Sequence, residues 1–319
     1  GRAIGNGDSM TCRIGVDIGG TFTDFALFDD VSRTMAIHKR LTTPADPSQA
    51  VLDGISTILE MNGADVADVD AVVHGTTLVT NAVIERKGAA TGMLATAGFS
   101  DIPDMRLEVR YDMFDIRLKF PPPIVPRDRR AEVDERVRYD GAVMAPLDID
   151  QAKAAVRRLI DHHDIEALAV CLLHAYVNSD HENAIKEMAA EEFPGLYVSV
   201  SSDVFPQIRE YERWTTTMLN AYTQPMFDRY LGRLEAGLAE IGFGGRFYMM
   251  ASNGGTVTAD LARRFPVRMM ESGPAAGALM SAHHGKALGL PDILSFDMGG
   301  TTAKGALVRR HAPLKNDQM

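Results

Sequence analysis

Asp17-Ile18-Gly19-Gly20-Thr21-Phe22-Thr23-Asp24 returns near the end of the chain, in altered form, as Asp297-Met298-Gly299-Gly300-Thr301-Thr302-Ala303-Lys304. In each copy an apolar run delivers an Asp to a Gly-Gly pair and a second apolar run leaves it: residues 13–16 and 25–28 flank the first copy, 293–296 and 305–308 the second. That pattern predicts strand, tight turn, strand. A glycine tip has no Cβ to hold a ligand away and can take positive φ, so its amides can converge on phosphate oxygens. The amides of Gly19, Gly20, Gly299 and Gly300 and the hydroxyls of Thr21, Thr23, Thr301 and Thr302 are therefore candidate phosphate donors. Asp17 and Asp297, at strand ends, are candidate catalytic carboxylates able to hold a hydrated Mg²⁺ against the phosphates. One copy alone reads equally as an ordinary hairpin. Two matched copies favour a pair gripping one polyphosphate.

Outward from the first hairpin, residues 47–61 place Val51, Ile55, Ile58 and Leu59 on one helical face, and residues 71–73 read as a buried strand. The strand runs into His74-Gly75-Thr76-Thr77, then a helix over 78–86 that Gly88 stops. A strand over 91–95 precedes an excursion, 99–126, whose Pro121-Pro122-Pro123 must be extended. Arg106, Arg110, Tyr111 and Asp112 leave that excursion open as a surface crossover, a lid or a partner contact. Asp148 and Asp180 are predicted caps for helices ending at His162 and Glu192, alternating with strands over 165–175 and 197–200, a βαβ layer. A long helix from about Gln207 should bend or break at Pro225. A strand over 247–251 enters the turn Ser252-Asn253-Gly254-Gly255, and Pro274 suits the first position of a helix reaching Leu288.

The chain has 319 residues, enough for a sizeable core in two lobes. A formal net charge of −10 argues against nucleic acid or anionic membrane as partners. Cys12 and Cys171 lack ligand spacing, which fits a reducing, cytoplasmic setting without structural zinc. No apolar run is long enough to span a bilayer. Residues 1–9, polar and ahead of Met10, are set apart as an appended or upstream remnant.

The paired hairpins resemble the actin, sugar-kinase and Hsp70 ATPase superfamily. Finer motifs resemble one branch, the hydantoinase A / 5-oxoprolinase family: Asp17 to Asp24, His74-Gly75-Thr76-Thr77-Leu78-Val79-Thr80-Asn81, Arg209-Glu210-Tyr211-Glu212-Arg213, Ser252-Asn253-Gly254-Gly255, Glu271-Ser272-Gly273-Pro274-Ala275-Ala276-Gly277, and Ser295 to Lys304. The resemblance implies an α/β fold: an actin-like (ribonuclease H-like) ATPase lobe with an inserted α/β substrate region. It divides the chain into an N-terminal region, 10–200, and the start of a second lobe, 201–319, expected to be truncated because the adenosine-binding turn of the family is missing. It implies ATP and Mg²⁺ as cofactors and phosphorylation of the carbonyl oxygen of a cyclic amide or imide, hydantoin or 5-oxoproline, with a hydantoinase B-like partner subunit completing hydrolysis. A ketone carboxylase subunit and a non-catalytic interaction module stay open as alternatives.

Phosphorylation converts a poor leaving oxygen into a good one, so such an enzyme must align substrate with the γ-phosphate and neutralise charge. Thr76, Thr77, Asn81 and Glu85 read either as a helix cap and polar face or as substrate-side donors. Arg209, Glu210 and Glu212, with Arg213, read either as a solvated ion-pair face or as a substrate or interlobe contact. His74 reads as a packed strand-end histidine ahead of a catalytic imidazole.

Overall fold

A computed structural model of the chain describes residues 12–43, 46–107, 112, 114–298 and 303–314. Gly299, Gly300, Thr301 and Thr302, residues 1–11, and Arg110 and Tyr111 lie outside the described residues. Contacts divide the chain into two compact units, residues 1–84 with 227–319 and residues 85–226.

In chain order the first unit opens with β1 (Cys12–Ile18), β2 (Phe22–Asp29), β3 (Met35–Leu41), α1 (Pro47–Asn62), β4 (Val69–Thr76) and α2 (Leu78–Ile84). The second unit holds β5 (Thr91–Thr96), α3 (Ile102–Met105), β6 (Arg130–Val133), β7 (Arg136–Val137), β8 (Val143–Ala145), α4 (Ile149–His163), β9 (Ala167–Cys171), α5 (Asp180–Glu192), β10 (Tyr197–Val200) and α6 (Ser201–Val204). Helix α7 (Glu210–Glu240) begins in the second unit and ends in the first. The first unit is completed by β11 (Arg246–Met250), β12 (Thr256–Thr258), α8 (Ala259–Arg264), α9 (Ser272–Leu288), β13 (Ile293–Met298), β14 (Ala303–Arg309) and β15 (Ala312–Pro313).

The first unit is built on a six-stranded sheet ordered β12-β11-β4-β1-β2-β3. Strands β1, β4 and β11 are mutually parallel, and the flanking pairs are antiparallel. Alternation along β1 buries Cys12, Ile14, Val16 and Ile18 and turns Arg13 and Asp17 to the other face. The buried face is covered by α1 and the later half of α7. The Phe25 ring packs so tightly on Gly54 that a Cβ there would meet it at 2.0 Å, and Leu52 fits against Gly237 in the same way. Helix α1 has the predicted face, Asp46 as its cap and Pro47 in its first turn. A separate sheet, β13-β14-β15, packs one face on α9, where Ile293 lies against Gly285.

The second unit has a four-stranded parallel sheet, β10-β9-β5-β6. Its central strands β5 and β9 are buried along their whole length because both faces are covered. Leu94, Leu168 and Val170 meet Ala155, Val156 and Leu159 of α4 and Ile185 and Ala189 of α5. Met93, Ala169 and Cys171 meet Trp214, Met218 and Ala221 of α7 on the opposite face. Val125, from the proline-rich excursion, is fully buried there, so the excursion is a core-covering crossover at that point.

Three expectations shift. Pro225 does not interrupt α7, which is continuous through it. Ala221, Phe227 and Leu231 are fully buried around the proline, so packing offsets the lost backbone bond. The cap of α5 is Ser179, with Asp180 the first helical residue. The strand expected over 165–175 is the shorter β9.

Candidate functional site

The first hairpin tip is pinned from beneath. Gly19 N donates to Phe22 O at 2.9 Å and closes the turn, and Thr42 Oγ1 donates to Gly19 O at 2.9 Å. Thr23 is fully buried and its hydroxyl meets Thr42 Oγ1 at 3.0 Å, so it braces the tip from inside while Thr21 stays exposed. Neither Gly19 nor Gly20 has the positive φ that glycine allows, and only Gly19 is crowded. A Cβ on Gly19 would come within 3.2 Å of Phe22 O, and one on Gly20 within 3.8 Å of Asn81 Nδ2.

Asp17 stands between Asp24 of β2 and Gly75 of β4 in the sheet register. A Cβ on Gly75 would lie 3.1 Å from Asp17 Oδ1, and one on Gly273, in the first turn of α9, 3.6 Å from it. Side chains at those two positions would fill the surroundings of the carboxylate. Asp17 opens on the solvent side of its pleat, yet burial by the surrounding protein, then the carboxylates of Asp24 and Asp297, push its pKa up. Lys304 and Lys39 pull the other way. Asp297 lies opposite Lys304 across β13 and β14. The structure thus brings Asp17 and Asp297, from the two copies of the repeat, into one electrostatic neighbourhood.

The junction of β4 and α2 locks onto the same end of β1. Thr77 N and Oγ1 donate to Ile18 O at 3.1 and 3.2 Å, and Asn81 Nδ2 donates to Thr77 Oγ1 at 3.2 Å. Thr76 is buried, and its hydroxyl accepts from Leu78 N at 3.1 Å as a helix cap. Buried Ser272 binds the Thr76 main chain, donating to its carbonyl at 3.3 Å. Glu271 N donates to Thr80 Oγ1 at 3.2 Å. Glu271, with φ 59°, points its side chain to Lys304, whose Nζ lies 2.5 Å from Oε2. His74 is wholly buried, with Nε2 2.6 Å from Tyr230 Oη, and burial lowers its pKa to about 4. It is a packed strand-end histidine.

Glu85 and Arg209 to Glu212 belong to the second unit. Glu85 is exposed beside Lys87 at 2.7 Å. Arg209 is exposed with φ 84°, and it lines a cavity of about 250 Å³ with Glu210, Tyr211, Glu212, Ile102, Arg106 and Leu107. Glu212 Oε2 is buried there without a hydrogen-bond partner. Arg213 is on no solvated face. It is fully buried, donating to Ser201 Oγ at 3.2 Å, Gln207 O at 2.9 Å and Leu172 O at 3.1 Å. Ser201 in turn donates to the buried Glu182 at 2.7 Å, so the guanidinium is matched through a hydroxyl relay.

Residues 13–193 match the hydantoinase/oxoprolinase N-terminal region and residues 213–318 match hydantoinase/oxoprolinase. The chain belongs to the hydantoinase/oxoprolinase family. Within this family it is 33% identical over 299 residues to caprolactamase subunit alpha of Pseudomonas jessenii, covering 91% of this chain and 42% of that one. The solved ATP-dependent caprolactamase from P. jessenii superposes with a TM-score of 0.82 at 33% identity, over 92% of this chain and 43% of that one. A nucleotide-free acetone carboxylase superposes with a TM-score of 0.83 at 28% identity, over 94% and 44%. The chain therefore spans less than half the length of these relatives.

Sequence reasoning found both Asp residues but gave no role to Gly75, Gly273, Glu271 or Lys304. Their signal was present in the motifs His74-Gly75 and Glu271-Ser272-Gly273, glycines and a carboxylate at strand and helix ends. Among the described residues no group of three or more His, Cys, Asp or Glu is placed to hold a metal ion. The Asp17 carboxylate, left uncrowded by Gly75 and Gly273, is the oxygen donor type that suits Mg²⁺, which keeps waters and takes further ligands from phosphate. No helix among the described residues is long and apolar enough to cross a membrane.

Proposed function

We propose that this chain is the nucleotide-handling part of an ATP-dependent subunit that phosphorylates the carbonyl oxygen of a cyclic amide or imide and so prepares the ring for opening. The observation that carries the reading is Asp17 set beside Gly75 and Gly273 within the electrostatic reach of Asp297, in a member of the hydantoinase/oxoprolinase family. Asp17 and Asp297 would hold a hydrated Mg²⁺, which would neutralise charge on ATP as its phosphoryl group passes to the carbonyl oxygen. The raised pKa of Asp17 comes first from burial and then from the carboxylates of Asp24 and Asp297, and a cation beside the carboxylate would offset both. Gly19, Gly20 and Thr21 offer main-chain and hydroxyl donors to phosphate, and Gly299, Gly300, Thr301 and Thr302 are their counterparts in the repeat. Thr23 supports the tip from beneath.

Thr77 and Asn81 hold the strand end of β1 in place and, with Thr76, form the floor on which a carbonyl oxygen would be aligned. Glu85, Arg209, Glu210 and Glu212 are proposed as substrate or interlobe contacts. The cavity beside Arg209 and the unpartnered Glu212 Oε2 favour that role over a solvated ion-pair face. The fold proposed is an actin-like ATPase lobe with an α/β insertion, over regions 10–200 and 201–319. A hydantoinase B-like subunit is the proposed partner, since caprolactamase subunit alpha is named as a subunit. A ketone carboxylase is the second reading, favoured by the likeness to acetone carboxylase.

Calorimetry with Mg-ATP tests the core claim: the chain binds and Asp17→Asn does not. In a longer subunit carrying this sequence, assayed with its partner, ADP release should rise with a hydantoin, 5-oxoproline or lactam. A rise only with a ketone and bicarbonate would select the second reading, and no binding of Mg-ATP would end both.

A further inference from the structure

The two copies of the repeat differ at their last position: Asp24 in the first, Lys304 in the second. Register places Asp24 opposite Asp17 and Lys304 opposite Asp297, so the pseudo-equivalent sites carry opposite charges. Asp24 is held by Lys39, with Nζ 2.8 Å from Oδ1, on a surface where both side chains are more than half exposed. Lys304 is more sheltered, at 27% exposure, and its ammonium is held by Glu271 at 2.5 Å. It is also the leading cation acting on Asp17.

Asp17, Asp24, Asp297 and Glu271 give this neighbourhood four carboxylates, which a polyphosphate would meet as repulsion. Lys304 is the group that can reverse that field locally. Its four-carbon stem leaves the ammonium free to move. The main chain of Glu271 cannot follow: its N–H is bound to Thr80 and its carbonyl accepts from Ala275 N at 3.2 Å. A small movement of the lysine therefore breaks the pair without disturbing α9.

We propose that Lys304 is a phosphate-binding residue held in reserve by Glu271, and that an arriving polyphosphate takes the ammonium from the carboxylate. The Glu271–Lys304 pair is then a competitor of the ligand rather than a structural tie. The inference rests on the reading that the first unit binds Mg-polyphosphate, and it adds a residue and an exchange that the reading does not contain.

The opposite signs of two substitutions test it. Calorimetry with Mg-ATP and with magnesium tripolyphosphate is run on the wild-type chain, Lys304→Ala, Glu271→Gln and the double variant, each checked for an unchanged melting temperature without ligand. Loss of the ammonium weakens both ligands by about tenfold to a hundredfold, the range of a charge-assisted hydrogen bond. Glu271→Gln tightens both by roughly twofold to fivefold, the worth of a partly exposed ion pair. In the double variant the gain from Glu271→Gln disappears. Wild-type binding with Lys304→Ala unchanged would overturn the proposal and leave the nucleotide reading standing. Weakening by Glu271→Gln would show a structural tie, and a gain that survives in the double variant would show a mere field effect; both overturn the exchange. No binding by the wild type would remove the nucleotide reading itself.

Discussion

His74 makes the first unit sensitive to mild acid. The imidazole is completely buried, bonded through Nε2 to Tyr230, and its pKa is lowered from 6.5 to about 4. Between those values the unfolded chain binds a proton that the folded chain refuses, so stability is full above pH 6.5 and falls as the pH drops towards 4. For these two pKa values the loss between pH 7.5 and pH 5 is about 2 kcal/mol, approaching about 3 kcal/mol near pH 4. The assay is urea unfolding at several pH values across that window, for wild type and for His74→Phe with Tyr230→Phe. The double substitution removes the titrating ring together with the hydroxyl that it would orphan. Its unfolding free energy should fall by about 2 kcal/mol less over the window than that of wild type. Parallel pH profiles would refute the reasoning, because they would mean that the buried ring titrates alike in the folded and unfolded states.

Asp17→Asn should raise the thermal midpoint at neutral pH while abolishing Mg-ATP binding. A carboxylate whose folded pKa is raised destabilises the fold when ionised, and scanning calorimetry with and without nucleotide reads both effects. Arg213→Met should cost about 3 kcal/mol in chemical unfolding, since it strips donors from Leu172 O, Gln207 O and Ser201 inside the second unit. Gly54→Ala should cost about 1–3 kcal/mol, because its methyl falls on the Phe25 ring; a neutral result in urea unfolding would show that α1 can slide.

The hairpins, the αβ alternation and the cap at Asp148 were legible because each is written in a local code, a turn glycine or a side-chain oxygen ahead of an apolar face. Strand β3 was not. Its Met35, Ile37, Lys39 and Leu41 face outward at a sheet edge, so its pattern shows no buried stripe. The fate of Arg213 was equally hidden, since an arginine among glutamates at a helix start looks solvated until Leu172 O and Ser201 arrive from distant sequence. Pro225 misled because propensity is local while the packing of Ala221 and Phe227 is not. At the site, the Asp residues were visible in the repeat. The space around Asp17 depends on glycines from β4 and α9 that only the fold brings beside it.

The chain leaves the first unit after Ile84 and re-enters it within α7. Strand β4 pairs with β11 through Ala71 and Arg246, so a ribosome must release the whole second unit before the central sheet can be extended. The continuous second unit, with its own two-sided core, has everything it needs to fold while synthesis continues. The first unit must wait with the outer edge of β4 unpaired. Birth order along the polypeptide therefore makes the second unit the early folder and leaves the half-built six-stranded sheet as the segment most in need of protection from aggregation.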